Sequence, residues 1–263
     1  MVYLGNVLEL RALTRKFSRV PVVDRVSFTV RRGEACGYLG PNGSGKSTTV
    51  RMIVGLLEPT SGEVFFDGED IRRDSLAFRR KLGYVPEEPD LYRHLSGREY
   101  LLLAGRLRQI PSPTLERRVD GLLELFGLSR NLHGLLGSYS KGMRQKVLLS
   151  AALLHDPDIL VFDEPLSGLD VTTTLVFRLL VARLAERGKV VLFSSHVLDA
   201  IEKTCSTVVI LSQGQVVAHD TVARLKELRR SPSLEHVFTE LAVAEDPGRT
   251  ADAILEVVSS DPA

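Results

Sequence analysis

No apolar run in this chain approaches the roughly 18 residues that a membrane-spanning helix requires. The first residues, Met1-Val2-Tyr3-Leu4-Gly5, lack both the basic and the apolar region of a secretory signal. The expectation is a soluble chain that reaches a membrane, if at all, through a partner. Net charge is only +1, so bulk electrostatics favour neither nucleic acid nor an acidic surface, and no nucleic-acid partner is expected. Cysteine is scarce. Cys36 and Cys205 lie in apolar surroundings without metal-ligand spacing, which reads as two buried structural thiols in a reducing compartment. There are no internal repeats and no low-complexity tracts. The charge that is present is unevenly spread. From Ser231 onward seven acids face Arg249 alone, a net of −6 that leaves +7 for everything before it.

With 263 residues, 44% hydrophobic and 25% charged, the chain has the composition and length of one large globular domain or one domain with an insertion. Its most informative stretch is Gly40-Pro41-Asn42-Gly43-Ser44-Gly45-Lys46-Ser47-Thr48, which fits the phosphate-loop pattern G-x-x-x-x-G-K-[ST]. The apolar run Ala35 to Leu39 before it reads as a buried strand, and Thr49 to Val54 after it can continue a helix. A strand, a glycine turn and a helix N-terminus aim several backbone N–H groups and the positive end of a helix dipole at one point. Glycines at 40, 43 and 45 let the backbone curl around an anion. In this pattern Lys46 reaches the β- and γ-phosphates of a nucleotide, and Ser47 places its hydroxyl on Mg²⁺.

Around that loop the chain alternates between strand and helix patterns. Leu8 to Leu13 and Val26 to Val30 read as strands, separated by a basic, turn-like segment around Phe17. Glu63 to Phe66 followed by Asp67-Gly68 reads as a hairpin, and Leu82 to Val85 as a short strand ending at Pro86. From Ser96 to about Leu154 the spacing becomes helical: Glu99 to Leu107, Leu115 to Phe126, and Lys141 to Leu154 with Ser140 as its N-cap. Alternation then returns with strands at 159–162, 190–193, 208–211 and 216–218 and a helix over 172–186. The expected fold is an α/β phosphate-loop NTPase core with a mostly parallel sheet, an N-terminal antiparallel β region and an inserted helical subdomain. One domain is expected over 1–230, its α/β core at 1–95 and 155–230 and its helical part at about 96–154. Residues 231–263 form a short acidic appendage in which Leu234, Val237, Phe238 and Leu241 make one amphipathic turn or two.

Ile159 to Phe162 ends in Asp163-Glu164. A buried strand delivers both carboxylates to its C-terminal edge, where ligands bind in open α/β sheets. Asp163 can hold Mg²⁺ directly or through water, and Glu164 can orient or deprotonate an attacking water.

Three further segments specify the kind of phosphate-loop protein. Tyr139-Ser140-Lys141-Gly142-Met143-Arg144-Gln145 precedes the acid pair by about twenty residues. Ser167-Gly168-Leu169-Asp170 follows it directly, and Ser194-Ser195-His196 comes after a further strand. Together these resemble the ABC ATPases, the nucleotide-binding subunits of ABC transporters, over roughly Leu8 to Leu228. The segment 139–143 resembles the family signature Leu-Ser-Gly-Gly-Gln but departs from it at the first, third and last places. Lys141 and Met143 in these positions resemble the branch that exports drugs, lipids and polysaccharides. The resemblance implies that two subunits, identical or related, sandwich two ATP molecules, each γ-phosphate lying between one phosphate loop and Ser140, Lys141, Gly142 and Met143 of the other subunit. It places Asp170 at the dimer seam, His196 on the γ-phosphate and attacking water, and Phe17 against the adenine. It also implies a separate membrane-spanning subunit, with this chain on the cytoplasmic face of the membrane.

One position departs from the family in the chemistry itself. After Tyr84-Val85-Pro86 the family usually has glutamine, whose side chain reaches Mg²⁺; here it is Glu87. The same exchange occurs in the export branch and reads as tolerated. The segment from Glu88 to Arg98 would then lie at the surface that receives the membrane subunit. A soluble ABC protein of DNA repair or translation would carry two cassettes, coiled-coil insertions or basic arms, and this chain has none of them. A small-molecule kinase would leave the 139–143 and 167–170 motifs unexplained.

Overall fold

A computed structural model describes residues 7–88, 91–229, 231, 233–242 and 247–259. The chain opens with β1 (Leu8–Lys16) and β2 (Pro21–Val30), then β3 (Ala35–Leu39), the phosphate loop and α1 (Lys46–Ile53). A hairpin of β4 (Ser61–Phe66) and β5 (Glu69–Asp70) leads to α2 (Ser75–Lys81) and β6 (Leu82–Val85). Three helices follow, α3 (Gly97–Leu107), α4 (Ser112–Leu125) and α5 (Lys141–Leu153). The chain then returns through β7 (Ile159–Asp163), α6 (Val171–Glu186), β8 (Val190–Ser194), α7 (Leu198–Thr204), β9 (Thr207–Ser212) and β10 (Gln215–Thr221). It ends in α8 (Val222–Leu228), α9 (Leu234–Ala242) and α10 (Pro247–Ser259).

The strands form two sheets. One is antiparallel, in the order β2-β1-β4-β5; the other runs β10-β9-β3-β8-β7-β6 and is parallel except for the edge strand β10. Strands β3, β7 and β8 are buried along their whole length, as expected of a parallel sheet covered on both faces. One face of this sheet packs on the helices: Leu160, Phe162, Val191 and Phe193 meet Phe177 and Val181 of α6 in the same core as Val147 and Leu149 of α5. The other face carries Cys36, Tyr38, Val161 and Leu192 into a second core shared with Leu8, Leu10 and Phe28 of the antiparallel sheet. The fold class matches the expected one.

Several details differ from the sequence reading. β1 and β2 run longer than expected, to Lys16 and from Pro21, because register shifts along the ladder absorb irregular residues. Ala12 and Arg25 take left-handed backbone at φ 46° and 50° within these strands. The turn around Phe17 narrows to a bend at 17–20. The short helices α2, α7 and α8 were not anticipated. The acidic C-terminal stretch is helical in α9 and α10, and Leu234 and Val237 of α9 are fully buried in the same core as Ile201 and Val208. The segment expected at the surface, Glu88 to Arg98, is mixed. Glu88, Tyr92, Arg93 and His94 are exposed, Leu91, Ser96 and Gly97 are buried, and 89–90 lie outside the described residues. Ser96 and Glu99 form a reciprocal capping box at the start of α3. Both cysteines are buried free thiols on opposite faces of the parallel sheet. Burial pushes the Cys36 thiol up to about 12 and the Cys205 thiol well above its ordinary value.

Candidate nucleotide site

The carboxyl ends of β3, β7 and β8 meet at a cleft of about 220 Å³. The phosphate loop lines one side with Asn42, Gly43, Gly45, Lys46, Ser47 and Thr48. Glu87, Asp163, Glu164 and His196 line the other. With Val22 of β2, residues from five separate stretches of chain therefore converge on one space.

The loop is built for close approach. Gly45, the N-cap of α1, has φ +100°, and a Cβ there would stand 2.6 Å from the Val22 carbonyl oxygen. A Cβ on Gly40 would meet the Ser44 hydroxyl at 2.4 Å and the Leu211 carbonyl at 2.6 Å. No side chain caps α1, and no acidic residue occupies its first turn. The Lys46 ammonium spans the loop, donating to the carbonyls of Gly40 at 2.6 Å and Pro41 at 3.1 Å. Burial lowers its pKa, and the carboxylates of Glu164, Asp163 and Glu87 act against that shift. Ser44 is buried, and its hydroxyl has no hydrogen-bond partner among the described residues.

The acid pair divides by environment. Asp163 ends β7 almost fully buried, accepts a hydrogen bond from the Ser194 hydroxyl on β8, and keeps its second oxygen free of protein hydrogen bonds among the described residues. Burial raises its pKa, with Glu87 and Glu164 adding to the rise and Ser194 and Lys46 opposing it. Glu164 sits one residue on with left-handed backbone at φ 48°. Its N–H donates to the Ser194 carbonyl at 3.1 Å, so the neighbouring strand holds a conformation that costs free energy in a non-glycine residue. The Glu164 carboxylate pairs with His196 Nδ1 at 2.7 Å and lies 3.4 Å from the Ser195 hydroxyl. The His196 side chain is 70% exposed, so it bridges the buried acid to the cleft mouth.

This donor set suits Mg²⁺. A buried carboxylate with an uncommitted oxygen, a second carboxylate on Glu87 and the Ser47 hydroxyl are hard oxygen ligands. Three carboxylates against one lysine also repel a polyphosphate until a divalent cation joins it.

Other expected site residues lie elsewhere. Phe17 does not line the cleft; its ring is 61% exposed beneath the Arg15 guanidinium, 4.7 Å away. Ser140 caps α5 by accepting from the Met143 N–H at 3.2 Å, with Lys141, Gly142 and Met143 forming the first turn. Asp170 caps α6, accepting from the Thr173 N–H at 2.8 Å and the Thr173 hydroxyl at 2.7 Å. Those bonds, joined by Lys146 at 3.3 Å, hold its carboxyl well below the ordinary range. Sequence reasoning missed how firmly α5 is fastened to the loop after Glu164. Fully buried Gln145 donates to the Pro165 carbonyl at 3.0 Å, and a Cβ on Gly142 would stand 2.3 Å from the Gly168 carbonyl oxygen. It also missed Val22 beside Gly45 and the support given to the acids by Ser194 and Ser195. Contacts between distant strands leave no local signal.

The family model for ABC transporters matches residues 23–167, more than half of the chain. Among curated relatives, the ABC transporter ATP-binding protein NatA of Bacillus subtilis is 37% identical over 220 residues, covering 83% of this chain and 89% of its own length. The ABC-type transporter ATP-binding protein EcsA of the same organism is 35% identical over 248 residues, covering 92% and 99%. The bacitracin transport ATP-binding protein BcrA of Bacillus licheniformis is 33% identical, covering 86% and 74%. Among solved structures, an ATP-binding subunit of an ABC transporter superposes with a TM-score of 0.84 at 34% identity, covering 89% of this chain and 99% of that one. The ATP-binding cassette MJ0796, in a dimeric post-hydrolysis state bound to ADP and Pi, superposes at 0.74 with 26% identity, covering 81% and 98%. With the phosphate loop, acid pair and histidine gathered in one cleft, the chain belongs to the ABC transporter family, among its ATP-binding, Mg²⁺-dependent ATPase subunits.

Proposed function

We propose that this chain drives export through a separate membrane-spanning subunit, working as a dimer on the cytoplasmic face of the membrane. The observation that carries the catalytic part is the Glu164–His196 pair, 2.7 Å apart in the cleft that the phosphate loop, Glu87 and Asp163 also line. In this reading Lys46 and the amides of α1 bind the phosphates. Ser47, Asp163 and Glu87 hold Mg²⁺, which supplies charge neutralisation on the phosphate oxygens. Glu164 accepts a proton from the attacking water, and His196 fixes that carboxylate and reaches toward the γ-phosphate. Ser140, Lys141, Gly142 and Met143 act on the nucleotide of the other subunit, Asp170 lies at the seam, and Phe17 packs on the base. One cassette over 1–230, with a helical insertion at about 96–154, houses this machinery. Export is supported by the 139–143 signature, by Glu87 and by the likeness to BcrA, named for bacitracin transport. No described helix is long and apolar enough to cross a membrane, and a separate membrane subunit is supported by the likeness to the ATP-binding proteins NatA and BcrA.

The test is Glu164→Gln. Turnover should fall by about 10²- to 10⁴-fold, the usual contribution of a general base, while ATP binding persists and an ATP-bound dimer accumulates. Wild-type phosphate release from the variant would remove Glu164 from the role. Export is tested in inside-out vesicles carrying the co-purifying membrane subunit, where ATP should drive labelled cargo into the lumen; ATP-driven loss of preloaded cargo would reverse the direction.

A further inference from the structure

On the flank of the molecule, where α2, the end of α3 and the start of α4 meet, lies a second cleft of about 380 Å³. Its volume falls in the small-molecule range of about 300–1,000 Å³. Arg80, Arg108 and Arg118 line it together with Gln109, Thr114 and His155, and no carboxylate does. None of the three arginines makes an ion pair among the described residues, whereas Arg11, Arg72, Arg98 and Arg229 all do. The nearby Asp156 carboxylate is committed to Lys189 at 2.9 Å. Three permanent charges of one sign in one cleft repel one another unless an anion joins them.

Two of these side chains are held in place. Arg108 spends one N–H on the Arg79 carbonyl at 2.8 Å, and Arg118 one on the Leu154 carbonyl at 2.8 Å. Arg108 Nε and Nη2 and the Nε and Nη2 of Arg118 make no hydrogen bond among the described residues. Arg108 Nη1 also lies 2.8 Å from His155 Nε2. The same Nε2 lies 3.0 Å from the Leu82 carbonyl, so the ring is wedged between the guanidinium and the backbone, while its Nδ1 is buried with no hydrogen-bond partner among the described residues. Burial and the Arg108 charge lower the histidine pKa to about 4, keeping the ring neutral. The cleft also receives the N-terminus of the fourteen-residue α4, where Pro111 is the N-cap, Pro113 offers no N–H, and no side chain caps the amides of Ser112 and Thr114 among the described residues.

We propose that this cleft binds a phosphate group of the doubly charged, terminal kind carried by phosphate monoesters. Three guanidinium forks match a tetrahedral dianion better than a planar, singly charged carboxylate. The site is separate from the nucleotide cleft, with which it shares no lining residue. Either a soluble phosphate ester or the headgroup of a lipid such as phosphatidic acid carries this group, and the experiment separates them.

The full chain is saturated with Mg-ADP so that the phosphate loop is occupied, and inorganic phosphate is titrated against chloride at matched ionic strength. A second arm floats the same protein on phosphatidylcholine vesicles doped with phosphatidic acid or, at equal surface charge, with phosphatidylglycerol. Arg80→Ser is the main variant, because the Arg80 side chain makes no hydrogen bond or ion pair among the described residues and lies outside the nucleotide cleft, so folding and ATPase activity should be unchanged. Phosphate should bind the wild type and bind Arg80→Ser about tenfold more weakly, the value of one charge-assisted hydrogen bond. Arg118→Gln should show a similar loss. Flotation selective for phosphatidic acid and abolished by Arg80→Ser assigns the lipid source, and phosphate binding without such flotation assigns a soluble ester. Equal phosphate affinity in all three proteins, with flotation that ignores the headgroup, overturns the proposal.

Discussion

Two helix N-termini serve the phosphates in the proposed sandwich, and they are finished differently. α1 begins at Gly45 with no side-chain cap, so its first amides are left for an anion. α5 begins at Ser140, whose hydroxyl already accepts from Met143 N–H at 3.2 Å. A serine hydroxyl can accept with a lone pair and still donate its proton outward. The cap of α5 is therefore complete without a ligand, and in the proposed sandwich the hydroxyl keeps one donor for the partner's nucleotide. The phosphate-loop helix gains from its ligand what it lacks in a cap. Of the two ends, α1 should be the one whose first turn tightens on nucleotide binding.

The sharpest way to break that comparison is Ser140→Asp. Aspartate is an equally good N-cap, so the variant should unfold within a degree or two of wild type. It is acceptor-only and negative, so the donor toward a phosphate becomes a repelling charge. ATPase activity should fall by about 10²-fold, the scale of losing one donor to a reacting oxyanion. A parallel loss of melting temperature would mean that Ser140 acts through the helix alone. Retained activity would mean that its outward proton is not used.

Asp163→Asn probes the cleft side. Because the native pKa of Asp163 is raised, the native state binds this proton more tightly than the unfolded chain. The stability that this gives is present at low pH and lost as pH rises through the native pKa. Without Mg²⁺ at neutral pH, the variant should thus melt a few degrees above wild type while losing Mg²⁺-dependent hydrolysis. The advantage should shrink as pH falls and Asp163 takes up its proton, followed by thermal unfolding in EDTA across a pH series. A variant less stable than wild type under those conditions would show that the bond from Ser194 outweighs burial.

The smallest effect is expected at Glu87, which lines the cleft beside Asp163. Glu87→Gln should stay active, bind metal-free ATP better and show a weaker Mg²⁺ requirement, by about 1 kcal/mol in a partly wet site. ATP titrations with Mg²⁺ and with EDTA measure it. Equal affinity ratios in the two proteins would remove the electrostatic role.

The parts legible in the sequence were those whose chemistry is contiguous. A glycine loop before Lys46, an apolar run ending in Asp163-Glu164 and a Ser140 cap each announce themselves within a few residues. α3, α4, α5 and α6 are legible from period; α2, α7 and α8, at seven residues each, offer too few repeats of it, and α10, at thirteen residues, is not read as a helix. The lengths of β1 and β2 were hidden because left-handed residues inside a strand break the alternation that marks it. Least legible was what joins the site. The pairing of Glu164 with His196, the packing of Val22 on Gly45 and the seating of Gly142 on Gly168 all depend on strand order and crossing segments, which no local pattern encodes.

The two cysteines have a practical consequence. Thiolate, not thiol, reacts with alkylating reagents, and both native thiols are buried with their ionisation suppressed. A cysteine placed on the surface, at Thr172 for instance, would be the sole reactive thiol of the folded chain. Spectroscopic labels could then be installed in the otherwise native sequence, and one label per subunit would read the separation of two copies as nucleotide is bound and turned over.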